Sequence, residues 1–127
     1  MFDRKDAKLI KETALPAAGA SASSEIIDAL AAVRNAEIAL EIPALANLAS
    51  GKKATVKIQE SADGSTFADA PWAASLSVAG AASGGGAQSA LRIGIPSTAK
   101  RFLKAVASVE ADGGNNTAAK FVFALAF

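Results

Sequence analysis

Period-two alternation of apolar and polar residues, turn-forming residues between the alternating runs, and the lack of a long helical period predict an all-β fold. The expected architecture is a single antiparallel β-sandwich, jelly-roll-like, with an extended N-terminal arm. Short strands joined by turns, with no stretch that requires a crossover helix, disfavour a βαβ arrangement.

The arm is Met1 to Leu15, where Asp3, Arg4, Lys5, Asp6, Lys8, Lys11 and Glu12 surround Leu9 and Ile10. It has little apolar surface to bury, so it either frays or orders against another chain. Its removal is expected to leave the domain over residues 16–127 folded. Pro16 to Ser23 reads as an Ala/Ser-rich linker. Residues 24–36 place Ile26, Ile27, Leu30, Val33 and Arg34 at helical spacing, and a strand over 24–28 and one short helix stand as equal readings.

The clearest strand is Glu37-Ile38-Ala39-Leu40-Glu41-Ile42. Ile38, Leu40 and Ile42 share one face, Glu37 and Glu41 the other, and Pro43 ends the run. Ala54 to Glu60 repeats the pattern, with Val56 and Ile58 inward and Thr55, Lys57 and Gln59 outward. The Ser61-Ala62-Asp63-Gly64-Ser65-Thr66 stretch that follows is turn chemistry. Weaker alternation marks Ser75 to Val78 and Leu91 to Ile95, then Phe102 to Val109. At the end of the chain Phe121, Phe123, Leu125 and Phe127 fall on one face. Ala79 to Ala87 is low-complexity and reads as a flexible surface loop.

Composition narrows the function. The 127 residues include 33 alanines and no Cys, His or Tyr, while Val, Ile, Leu and Phe together number 30. One modest core is feasible at this length, and two are not. Disulfides, thiolate nucleophiles, finger-type zinc sites, Ser-His-Asp triads and imidazole bases are all excluded. The expectation is a protein that is not an enzyme, with no cofactor and no metal. A net charge of +1 predicts no bulk attraction to nucleic acid. No run approaches the roughly 18 apolar residues of a membrane span, and Met1 to Asp6 is too polar for a signal peptide.

Other chemistry is weak. Glu37 and Glu41 lie about 13 Å apart along a strand, beyond the separation of a glycosidase carboxylate pair. Asp63 lacks an Asp-x-Asp calcium pattern, and Gly84-Gly85-Gly86 lacks the Lys-Ser/Thr of a phosphate loop. Stronger is the basic group Arg92, Lys100, Arg101 and Lys104, because no acid lies between Ile93 and Val109. Segregated charge of this kind serves complementary docking. Trp72, after Pro71, reads as a cover on one end of the core or an interface anchor. The candidate partner-binding residues are therefore Arg4, Lys5, Lys8, Leu9, Ile10, Trp72, Arg92, Lys100, Arg101 and Lys104.

The order of these segments resembles the capsid cement, or head-decoration, proteins of tailed bacteriophages. The resemblance rests on the polar N-terminus, Ile26-Ile27-Asp28, and the unit Val56-Lys57-Ile58-Gln59-Glu60-Ser61-Ala62-Asp63-Gly64. Leu91-Arg92-Ile93-Gly94-Ile95-Pro96, Arg101 to Val106 and the C-terminal strand complete it. It implies a virion structural protein, made in the bacterial cytoplasm, that sits on the capsid exterior as a dimer or trimer. The implied partner is the major capsid protein, with no direct nucleic acid or membrane contact. The alternative is a carbohydrate-binding sandwich of a phage tail or surface protein, with Trp72 as its platform. On alternating strands, outward alanines would leave flat contact surfaces, and the thin supply of large apolar residues points to stability borrowed from neighbours.

Overall fold

The computed structural model describes residues 10–28 and 36–126, among which there is no helix. Its strands are β1 (Ile10–Ala14), β2 (Ser21–Ser23), β3 (Ile27–Asp28), β4 (Glu37–Ile42) and β5 (Lys53–Ser61). They continue as β6 (Ala68–Asp69), β7 (Leu76–Ala79), β8 (Ser89–Gly94), β9 (Phe102–Val109) and β10 (Lys120–Ala126). The first sheet has the order β1-β10-β4-β8 and the second β2-β9-β5-β6, with β3 also on β9 and β7 also on β5. Every strand pair is antiparallel.

β2 and β3 lie along the same side of β9, and β6 and β7 along the far side of β5, each pair forming one interrupted edge. Counted that way, the chain changes sheet at every step except from β5 to β6. This is the strand order of a jelly roll, with its two interlocked Greek keys.

The alternation does its expected work in the core. Ile38, Leu40 and Ile42 on β4, and Phe121, Phe123 and Leu125 on β10, are all at most 1% exposed. Opposite them, the second sheet presents Ala54, Val56 and Ile58 from β5, and Leu103, Ala105, Ala107 and Val109 from β9. Phenyl rings and branched side chains on one sheet thus meet alanines interspersed with Val56, Ile58, Leu103 and Val109 on the other, in two layers about 10 Å apart.

Three expectations need correction. Residues 10–14 are not part of an arm. They pair with β10 from Ile10↔Ala124 to Ala14↔Lys120, and Leu15 beyond them is 2% exposed, its N–H donating to Ala119 O at 2.9 Å. Edge pairing satisfies a polar backbone that looks solvated in sequence. The Pro16–Ser23 linker likewise contributes β2, and Ser24 continues it: its N–H donates to Ala105 O at 2.8 Å, and its hydroxyl accepts from Ala105 N at 2.9 Å. Of the 24–36 segment, Ile27 and Asp28 are strand, and residues 29–35, where the alternative helix would run, lie outside the described residues.

The third correction concerns residues 79–87, which are stitched to the 45–52 loop. Gly85 N donates to Leu48 O, and Leu45 and Gly86 exchange two backbone hydrogen bonds, all at 2.8 Å. A Cβ on Gly80 would overlap the Ala49 carbonyl. Glycine here lets two backbones touch rather than letting a loop move.

Leu15→Ala is expected to cost about 2–5 kcal/mol in chemical denaturation, because a fully buried leucine leaves a cavity. A chain starting at Pro16 loses β1 as well and is expected to be less stable still. A truncation as stable as the full chain would show that β1 contributes nothing.

Candidate functional site

The basic segment and Trp72 meet through a residue between them in neither sequence nor charge. On β5 the inward positions run Ala54, Val56, Ile58 and then Glu60, so a carboxylate occupies the last inward place at the strand's end. Glu60 is 6% exposed. Its Oε1 accepts the Trp72 indole N–H at 2.9 Å and the Lys100 backbone N–H at 3.0 Å. A buried carboxylate needs such donors, since an unpaired one is strongly destabilising. The bond pins the 70–73 turn and the strand entry at Lys100 onto one corner, with the Trp72 ring half-buried against the core.

Around this corner the outer face of the second sheet carries alternating cations and rings. Lys104 Nζ stands 4.5 Å over the Phe67 ring, and the Arg101 guanidinium 4.9 Å from the Phe102 centroid. Arg101 also grips Asp28 with two bonds, Nε–Oδ1 at 3.0 Å and Nη2–Oδ2 at 2.8 Å, which raises its pKa and fixes its plane. Lys57 and Gln59 converge on Asp69, at 3.2 and 3.0 Å, and lower its pKa, Gln59 most. The side chains of Lys100 and Lys104 meet no carboxylate among the described residues. They are the uncompensated charge of the corner.

The adjoining turn is rigid. Asp63 Oδ1 accepts from the N–H of Thr66 and of Ser65, each at 2.9 Å, and from the Ser61 hydroxyl at 2.8 Å. These bonds lower its pKa from 3.8 to about 2, those from Thr66 and Ser65 most. Ser61 Oγ in turn accepts from the N–H of Asp63 at 3.2 Å and of Gly64 at 3.0 Å, and Gly64 closes the turn at φ 79°.

The remaining candidates lie elsewhere. Arg92 is on β8, in the other sheet, at 3.6 Å from Glu37. Its register row across the outer face of that sheet runs Ile10, Ala124, Ala39, Arg92. Ile10 and Arg92 thus share a face with each other and not with Lys100, Arg101 and Lys104. Arg4, Lys5, Lys8 and Leu9 lie outside the described residues. Among the described residues no three carboxylates gather to hold a metal ion. Sequence reasoning missed Glu60 and Phe67. The signal for Glu60 was present, because alternation that turns Lys57 and Gln59 outward turns Glu60 inward.

No protein-family model matches the chain, and a search of curated proteins returns no match.

Trp72 is the chain's single Trp, so the corner reports on itself. Glu60→Ala is expected to red-shift its emission and to cost about 1–3 kcal/mol, whereas Glu60→Gln, which keeps an acceptor oxygen, leaves the emission near wild type. Equal spectra for all three would remove Glu60 as the organiser. For Asp63 the folded pKa lies below the unfolded one, so its contribution is complete above about pH 4 and is lost as pH falls toward about 2. Asp63→Asn is expected to flatten the acid limb of the stability profile, read by thermal melts from pH 5 to about 2. An unchanged limb would contradict the turn's role.

Proposed function

We propose that the protein is a structural virion component, a capsid cement or decoration protein that docks on the outside of a phage head. The reading is carried by one observation, the convergence of Trp72, Lys100, Arg101 and Lys104 at a single corner of a jelly-roll sandwich. Half-buried rings beside uncompensated lysines, with Lys104 on β9 and the Trp72 turn and Lys100 tied down by Glu60, suit an anchor that meets an acidic protein surface. The partner is the major capsid protein, and the protein acts in small homo-oligomers after synthesis in the bacterial cytoplasm. Each contact is modest, and many copies on one shell make the total strong. As a stacking platform for sugars, Trp72 has less support, because its N–H is tied to Glu60 and its ring leans on the core.

The test is co-sedimentation with empty capsids. Lys100→Glu with Lys104→Glu is expected to lower occupancy by about tenfold, and wild-type binding to weaken as salt rises through about 0.1–0.5 M. Neither lysine is buried, so the variant folds. Occupancy unchanged by the double variant and by salt would overturn the proposal.

A further inference from the structure

The middle inward row of the first sheet runs Lys11, Phe123, Leu40, Leu91, from β1 across to β8. Its two ends are finished differently. At β1 the row ends on Lys11, whose Nζ turns to Glu25 at 3.1 Å. An inward-pointing charge at an edge keeps a further strand from adding there. At β8 the row ends on Leu91, half-buried against the core, as are Ile95 just past the strand and Trp72. The second sheet stops on the same side, with β7 packed against β8.

β8 carries no such guard. Ser89-Ala90-Leu91-Arg92-Ile93-Gly94 runs six residues without proline, lysine or a break, and its one charge, Arg92, points outward beside Ala39. Among the described residues no strand lies on its far side, so the backbone groups facing that way are offered to a further strand. The edges of the second sheet are built otherwise, each from two short strands in an interrupted line.

We infer that β8 joins two copies of this chain, paired antiparallel about a two-fold axis at Leu91 so that their first sheets run on as one. The side chains select this register. A two-fold pairing that keeps the outer faces together must be centred on a residue. Centring on Arg92 sets two guanidinium groups opposite each other, which is destabilising. Centring on Ile93 brings Pro96, which has no N–H, into the ladder opposite Ala90. Centred on Leu91, the strand pairs Leu91 with the partner's Leu91, Ala90 with the partner's Arg92 and Ser89 with the partner's Ile93. The outward row then reads Glu41, Ala90, the partner's Arg92, the partner's Ala39, which places acid and cation two strands, about 10 Å, apart. One alanine separates them, and both side chains are long enough to meet over it. Glu41 Oε1 accepts from Gln88 Nε2 at 2.6 Å, which draws the carboxylate toward the β8 side. Symmetry makes the contact twice. The inference gives a surface to the homo-oligomer of the proposed function, yet it concerns the chain in solution and does not rest on the capsid reading.

The test is sedimentation equilibrium of the full chain, without capsids, from about 5 μM to about 1 mM. A reversible dimer is expected, with a dissociation constant on the order of 10–100 μM. Leu91→Lys, which gives β8 the guard that Lys11 gives β1, is expected to weaken it by about tenfold or more. Glu41→Arg and Arg92→Glu are each expected to weaken it about tenfold, and the double variant to return to within about threefold of wild type. Circular dichroism and Trp72 emission check that each variant is folded. Lys100→Glu with Lys104→Glu leaves the dimer unchanged, so failure of this contact and failure of capsid docking are read separately. The inference is overturned by a monomer at about 1 mM, by a trimer, by a dimer that survives Leu91→Lys, or by a charge-swapped double variant as weak as the single ones.

Discussion

The packing of a phenylalanine- and leucine-bearing sheet onto an alanine-bearing one is the constraint from which the rest of this structure follows. With 30 large aliphatic and phenyl side chains in 127 residues, the second sheet intersperses alanine among Val56, Ile58, Leu103 and Val109. β10 and β4 supply Phe121, Phe123, Leu125, Ile38, Leu40 and Ile42, while β5 and β9 answer with Ala54, Ala105 and Ala107, all 0% exposed. Complementary volumes reach native density with few large residues, because close packing depends on fit more than on the size of any one side chain. Some alanines therefore do the opposite of what composition alone implied. They close the core instead of flattening the outside, although Ala44, Ala46, Ala90 and Ala118 do face solvent.

The same economy sets up the polar corner. β5 runs nine residues, and its inward positions end in Glu60, where the hydrophobic layer gives out. A carboxylate there is tolerable only with donors around it, and the indole of Trp72 and the amide of Lys100 are the donors it has. The consequence is geometric. Two segments nearly thirty positions apart in sequence are held together, and the rings of Phe67 and Phe102 beside them stiffen Lys104 and Arg101 through cation–π contact. A buried acid thus serves to position exposed cations.

Much of the fold was legible because period two is a strong signal wherever one face is buried. Glu37 to Ile42, Ala54 to Glu60 and Phe121 to Leu125 show it plainly, and their inward residues are those that alternation names. The edges were not legible. β1 and β2 are short and polar, and an edge strand's pairing is decided by a neighbour about a hundred residues away, Phe121 to Ala124 for β1 and Val106 to Ser108 for β2. Glycine at 80 and 84–86 misled for a related reason, since composition reports freedom of φ and says nothing of a backbone waiting to be packed. The site was half legible. A charge run is one-dimensional, so Arg92 joined Lys100 in sequence even though Pro96 stands where the chain leaves one sheet for the other.

The two ends of the molecule bear on each other through β5 and β9, which run the length of the second sheet. Nine extended residues span about 30 Å, so the Trp72 corner and the loops carrying Ala49 and Gly113 lie at opposite ends of one hydrogen-bonded ladder. β5 and β9 are paired over eight consecutive positions, from Ala54↔Val109 to Ser61↔Phe102, without a bulge. The corner organised by Glu60 and the loops that meet through Ala49 and Gly113 are therefore positioned relative to each other by the same ladder, so a register slip between β5 and β9 would displace both ends at once.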